Sequence, residues 1–198
     1  MIITALKQTS NERITVCFSD GCEVNSTLGV VTDMRLYCGK DIDEDSFILL
    51  KESSAKYLAL NKAAELASRR MISGKELYDK LIQKSYSEEI ADFCVNKLTD
   101  AGLINDEQYA YAIVRHYYAK SYGVGRIKDE LWRRGIDRDL WDDALKQLPD
   151  TDEKIDHYIS THLSDPTDQK QIQKVSNSLF RRGYSWDEIK SAMRRYEQ

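Results

Sequence analysis

The chain has 198 residues with 41% hydrophobic and 31% charged residues, which suits one or two compact domains or a short array of smaller ones. Two prolines and nine glycines exclude a collagen-like or low-complexity chain. The net charge of −4 falls within the first 50 residues, where 8 acidic residues face 4 basic ones; the remaining 25 basic and 25 acidic residues cancel, which argues against a strongly basic nucleic-acid binder.

From the N-terminus, Ile2–Gln8, Arg13–Phe18 and Cys22–Val24 are β-branched or alternating, and Asp20-Gly21 suits a two-residue hairpin turn. Thr27 caps a short helix carrying Val30, Val31, Met34 and Leu36, stopped near Gly39. These residues form a small β-rich cap, 1–50. Asp43 opens a helix through Phe47, Leu49 and Leu50; an interruption is expected near Ser53-Ser54, after which Leu60, Ala63, Ala64 and Ala67 continue at helical spacing.

A repeated phrase organises the rest. Leu81-Ile82-Gln83-Lys84-Ser85-Tyr86, Leu131-Trp132-Arg133-Arg134-Gly135-Ile136 and Leu179-Phe180-Arg181-Arg182-Gly183-Tyr184 are variants of one motif, spaced by 50 and 48 residues. Each has an aliphatic residue four positions upstream (Leu77, Ile127, Val175) and so closes an amphipathic helix. Each is followed by a capping residue and a further helix: Ser87 before Ile90, Asp137 before Leu140, Ser185 before Ile189.

Ser73-Gly74-Lys75-Glu76 and Ser185-Trp186-Asp187-Glu188 are capping boxes. Gly102 ends the third helix of the first unit, which carries Ile90, Phe93, Cys94, Val95 and Leu98. In the second copy Asn105-Asp106 caps a helix with Tyr109, Ala110, Ile113 and Tyr117 inward. Gly123 and Gly125 then break the chain, Arg126–Arg134 is helical, and Leu140, Ala144, Leu145 and Leu148 line the last helix before Pro149-Asp150. The third copy begins with Ile155, Tyr158, Ile159 and Leu163, and Asp165-Pro166 starts its second helix. The pattern predicts a mainly α protein: three-helix units at 51–104, 105–149 and 150–198 stacked in an elongated, curved array behind the cap. Such a stack offers surface rather than a pocket, so binding is the expected activity.

No segment reads as a bilayer span or a secretory signal, and a cytoplasmic address is the simplest. Cys17, Cys22, Cys38 and Cys94 lack zinc-site spacing and are expected as reduced packing residues, although Cys17 and Cys22 could meet across the hairpin. His116, His157 and His162 show no ligand spacing, Gly123-x-Gly125 lacks a P-loop lysine and hydroxyl, and no nucleophile elbow appears. No enzyme, metal or cofactor is expected.

The segments Ser73–Leu81, Gly102–Ala110 and Tyr122–Leu131, with the Arg134-Gly135-Ile136 and Arg181-Arg182-Gly183-Tyr184 endings, resemble the RecX family of bacterial recombination regulators over residues 55–198. The β-rich cap resembles an extension found in some members. Many relatives carry a proline or basic residue near Val124 and an aspartate in place of Asn105. The resemblance implies tandem three-helix repeats, a monomer, and RecA as the partner, bound also as its filament on single-stranded DNA. It also implies modulation, usually inhibition, of RecA ATP hydrolysis and strand exchange, and through them of DNA repair.

The candidate contact residues are Arg115, Lys120, Arg126, Lys128, Arg133 and Arg134 in the second unit and Arg181 and Arg182 in the third. They would meet acidic groups of the partner or phosphates of its DNA. Alternatively they are the solvated side of helices buried through Ile127 and Leu131, interleaved with Asp129 and Glu130. Arg194-Arg195 adds to the cluster of the third unit, and the arginine pair nearest each glycine suits a helix C-terminus better than recognition. Tyr109 and Tyr117 fit the core, whereas Tyr111 and Tyr118 are the surface candidates for stacking. The RecA-binding reading leaves room for weak direct DNA contact, and two other classes remain open: a direct DNA-binding helical module, and a helical scaffold for another protein.

Overall fold

The computed structural model describes residues 1–10, 12–149 and 152–196. Strands β1 (Ile3–Gln8), β2 (Arg13–Phe18) and β3 (Glu23–Thr27) pair antiparallel in chain order. The central strand β2 is buried on both sides, through Ile14, Val16 and Phe18 on one and Thr15 and Cys17 on the other. Its connection to β3 is a three-residue loop, not the two-residue turn expected. Phe18 N–H donates to the Cys22 carbonyl at 2.9 Å and Gly21 N–H to the Phe18 carbonyl at 3.1 Å. Only Gly21 takes a positive φ, +84°, whereas the two-residue turn with Asp-Gly at its centre requires it at both positions.

Thr27 caps α1 (Leu28–Asp33) by accepting from Val30 N–H at 3.3 Å. This helix stops at Asp33, where the chain turns through Met34 and Arg35 (φ +49°), well before Gly39. Asp43 then caps α2 (Glu44–Arg69), accepting from Ser46 N–H at 2.8 Å. The interruption expected at Ser53-Ser54 does not occur, and α2 runs unbroken through both serines. Ser54 is buried and its hydroxyl bonds the Ser26 hydroxyl of β3 at 2.8 Å, so it has no call on its own backbone. A serine in that state costs a helix only about 0.5 kcal/mol.

The chain divides into two compact units, residues 1–71 with 77–104 and residues 72–76 with 105–198. The first centres on Ile3, Val16, Phe18, Val30, Val31, Leu36, Ile42 and Leu50, with Phe47 edge-on to Phe18 at 5.2 Å. α3 (Gly74–Gln83) contributes Leu77 and Leu81. α4 (Glu88–Asp100), capped by Ser87, packs on α2 and ends at Gly102 (φ +71°) as expected. Of the four cysteines only Cys17 and Cys94 are packing residues; Cys22 and Cys38 are exposed, and all four are free thiols.

In the second unit α5 (Asp106–Ala119), α6 (Val124–Arg133), a short 3-10 turn (Arg138–Leu140) and α7 (Trp141–Lys146) surround Tyr109, Ala110, Ile113, Val114, Ile127 and Leu131. α8 (Asp152–His162), α9 (Gln169–Arg181) and α10 (Trp186–Tyr196) surround Ile155, Ile159, Val175, Leu179 and Ile189. α6 begins at Val124, so Gly125 lies inside the helix instead of breaking it. α9 starts at Asp168, whose carboxylate accepts from Lys170 N–H at 2.8 Å and Gln171 N–H at 3.4 Å. Asp165 instead closes the preceding turn onto Thr167. Tyr111 and Tyr118 pack half-buried against the core and are not surface platforms. Pro149-Asp150, expected as a boundary, includes a residue outside the described ones.

Candidate protein-interaction surface

The repeated phrase builds a repeated joint. In its second copy the helix-ending turn at Arg134-Gly135 lies against the start of α3. The Ser73 hydroxyl donates to the Arg134 carbonyl at 2.5 Å while accepting from Glu76 N–H at 3.0 Å. Asp106 accepts from Gly74 N–H at 2.9 Å. In the third copy the turn at Arg182-Gly183 lies against the start of α6. Gly123 N–H donates to the Arg182 carbonyl and Gly125 N–H to the Gly183 carbonyl, both at 2.9 Å. The exposed N–H groups at a helix start seek acceptors, and here carbonyls from the next repeat supply them. Glycine is obligatory at this joint: a Cβ on Gly123 would overlap the Gly183 carbonyl, and one on Gly183 (φ +91°) would overlap the Arg126 backbone nitrogen.

The joint sorts the candidate cations. Arg134 and Arg182, each preceding the glycine, are structural. Arg134 donates to Glu130 at 2.8 Å and to the Tyr109 hydroxyl. Arg182 reaches the Lys120 and Ser121 carbonyls at 3.4 and 3.5 Å and lies over the rings of Tyr158 and Tyr122. Glu130 is buried, which by itself would raise its pKa, but hydrogen bonds from Arg133 and Arg134 outweigh that and hold it at about 2. Arg133 is exposed while tied to Glu130; Arg115 and Lys120 are exposed on or just beyond α5.

Arg126, Lys128 and Arg181 come together from α6 and α9 along one open groove of about 630 Å³. Among the described residues no ion pair holds any of the three. Phe180, Tyr184, Asp129 and Glu188 complete the charged and aromatic lining. Phe180 stacks on Trp186 with ring centroids 4.9 Å apart, although both are exposed. Trp132, at the equivalent place in the second copy, is 69% exposed.

Sequence reasoning passed over these aromatics in favour of tyrosines. The signal was nevertheless present: Ile82, Trp132 and Phe180 each directly follow the buried leucine of the phrase. Among the described residues no His/Cys/Asp/Glu group could hold a metal ion. No helix among them is long and apolar enough to cross a membrane.

Comparison with known proteins matches three family models in order: the first RecX three-helix domain at residues 59–98, the second at 105–145 and the third at 161–193. Regulatory protein RecX of Xanthomonas axonopodis pv. citri is 33% identical over 138 residues, covering 68% of this chain and 85% of that protein. The chain belongs to the RecX family. Regulatory protein RecX of Caldanaerobacter subterraneus is 27% identical over 155 residues, 78% of this chain and 79% of its own. A crystal structure of regulatory protein RecX superposes with a TM-score of 0.77 at 22% identity, covering 96% of this chain and 97% of that one, which establishes the shared fold. These RecX relatives are named as regulators, and this chain takes a regulatory role with them.

Proposed function

We propose that the chain regulates recombination and DNA repair by binding RecA and its filament on single-stranded DNA, slowing ATP hydrolysis and strand exchange. Membership of the RecX family through all three helical domains carries this reading. It is supported by an exposed aromatic followed by an exposed arginine at one register of the second and third copies, Trp132-Arg133 and Phe180-Arg181, an arrangement suited to a partner that itself repeats. Several weak contacts on one chain raise the effective affinity for a polymer without a single strong site. The inhibition is steric and electrostatic: a bound array opposes the subunit motions that turnover requires.

Co-sedimentation with RecA filaments on single-stranded DNA, run beside steady-state ATPase rates, tests this. The expected result is protein in the pellet and turnover that falls as protein is added. Absence from the pellet with unchanged turnover at micromolar protein defeats the reading.

Direct DNA binding is the weaker alternative. Residues 105–198 hold 16 basic and 17 acidic residues, and Asp129 and Glu188 stand in the groove beside its cations. A steep fall of DNA affinity with salt in the absence of RecA, abolished by Arg133→Glu with Arg181→Glu, would favour it.

A further inference from the structure

We propose that Trp132 and the Phe180–Trp186 pair are the anchors of the partner contact, and that the groove beside Phe180 takes an acidic segment of a protein partner bearing one bulky apolar side chain. The inference rests on the protein-binding reading above and names the surface that performs it.

Three observations converge. Scattered exposed apolar residues need no explanation, but these recur at one register, directly after a fully buried leucine in every copy: Ile82 is 37% exposed, Trp132 69% and Phe180 49%. The fold has no use for them there, because the neighbouring Leu81, Leu131 and Leu179 already fill the core. Second, Phe180 and Trp186 stack on each other at the surface, so each ring has less conformational freedom to lose on binding than a lone exposed side chain. Aromatic residues set beside arginine are the usual composition of binding hot spots.

Third, the groove next to the stack has unequal charge. Arg126, Lys128 and Arg181 are exposed and outside any ion pair among the described residues, whereas Glu188 already accepts from Ser185 N–H at 2.7 Å. The complement is a carboxylate-bearing segment whose apolar side chain rests on Phe180. Nucleic acid fits less well. The Trp186 ring already covers one face of Phe180 and leaves only the other for a base.

The test uses the full chain and three variants, Trp132→Ala, Phe180→Ala and Arg181→Glu, each checked for an unchanged melting temperature. Binding to RecA filaments should weaken about tenfold for each. In parallel, amide shifts are followed by NMR with a glutamate-rich peptide carrying one leucine, and separately with an oligothymidylate. Peptide-induced shifts at Arg126, Lys128, Phe180 and Arg181 support the groove assignment even if RecA proves not to be the partner. A parent chain that fails to sediment with filaments sinks the RecA reading alone. Unchanged filament affinity in all three variants overturns the surface assignment. Shifts caused by the oligothymidylate but not by the peptide overturn it in favour of nucleic acid.

Discussion

Glu130 shows how one buried carboxylate ties two arginines to the fold. Its folded pKa of about 2 lies below the ordinary glutamate value of about 4.3, so its contribution is complete above that value and is lost as pH falls through about 2. The difference is worth on the order of 2–3 kcal/mol. Acid titration of stability should therefore show a loss between about pH 5 and pH 2 that Glu130→Gln largely removes; circular dichroism melts across that range would measure it. Tyr184 presents the reverse case. Its hydroxyl is buried with no hydrogen-bond partner among the described residues, and burial pushes its pKa up to about 12. Tyr184→Phe should thus stabilise the protein by about 1 kcal/mol in chemical denaturation, and a loss of stability would mean that the hydroxyl finds a partner in solution. The cysteines separate in the same way. Cys22 and Cys38 should react with a maleimide while Cys94, whose thiol burial raises to about 11, should stay protected until the chain unfolds.

Gly102 and Gly183 both follow a helix at positive φ, look alike in sequence and differ in duty. Gly102 has φ +71° with nothing near its missing side chain, so Gly102→Ala should cost only about 1–2 kcal/mol. Gly183 has φ +91° and would drive its Cβ into the backbone of Arg126, so Gly183→Ala should cost about 3 kcal/mol or more. Thermal melts of the two variants would distinguish them. The first copy supports this reading. Its Ser85 occupies the same position at φ +65° and is exposed. Helix periodicity, the cap residues and the three copies were legible because they are local: Ser73, Ser87, Asn105 and Ser185 cap where the spacing placed them. The joint was not. Gly123 and Gly125 read as a break because their true partners, the Arg182 and Gly183 carbonyls, lie some 60 residues away in sequence. The unbroken α2 was missed for the same reason, since Ser54 is satisfied by Ser26 across the fold. Of the candidate cations, the pair before each glycine could be assigned to a helix end from sequence. The gathering of Arg126, Lys128 and Arg181 along one groove required the fold.

Each of the two compact units has a core of its own, the first around the sheet and α2, the second around two successive helical clusters. Loosening one should leave the other intact. In Gly183→Ala, hydrogen exchange should accelerate across α6 and α8–α10 while Val16 and Leu50 keep their protection; uniform acceleration would show a single cooperative whole. The joint has one more consequence. Because main-chain amides and carbonyls clasp at the Gly123–Gly183 junction, the spacing there is set by backbone groups and not by the side chains exposed at the surface. Solvent-facing positions such as Trp132 and Arg181 can then be rewritten freely without retuning that spacing, which makes this segment a ready chassis for selecting binders to other repetitive targets.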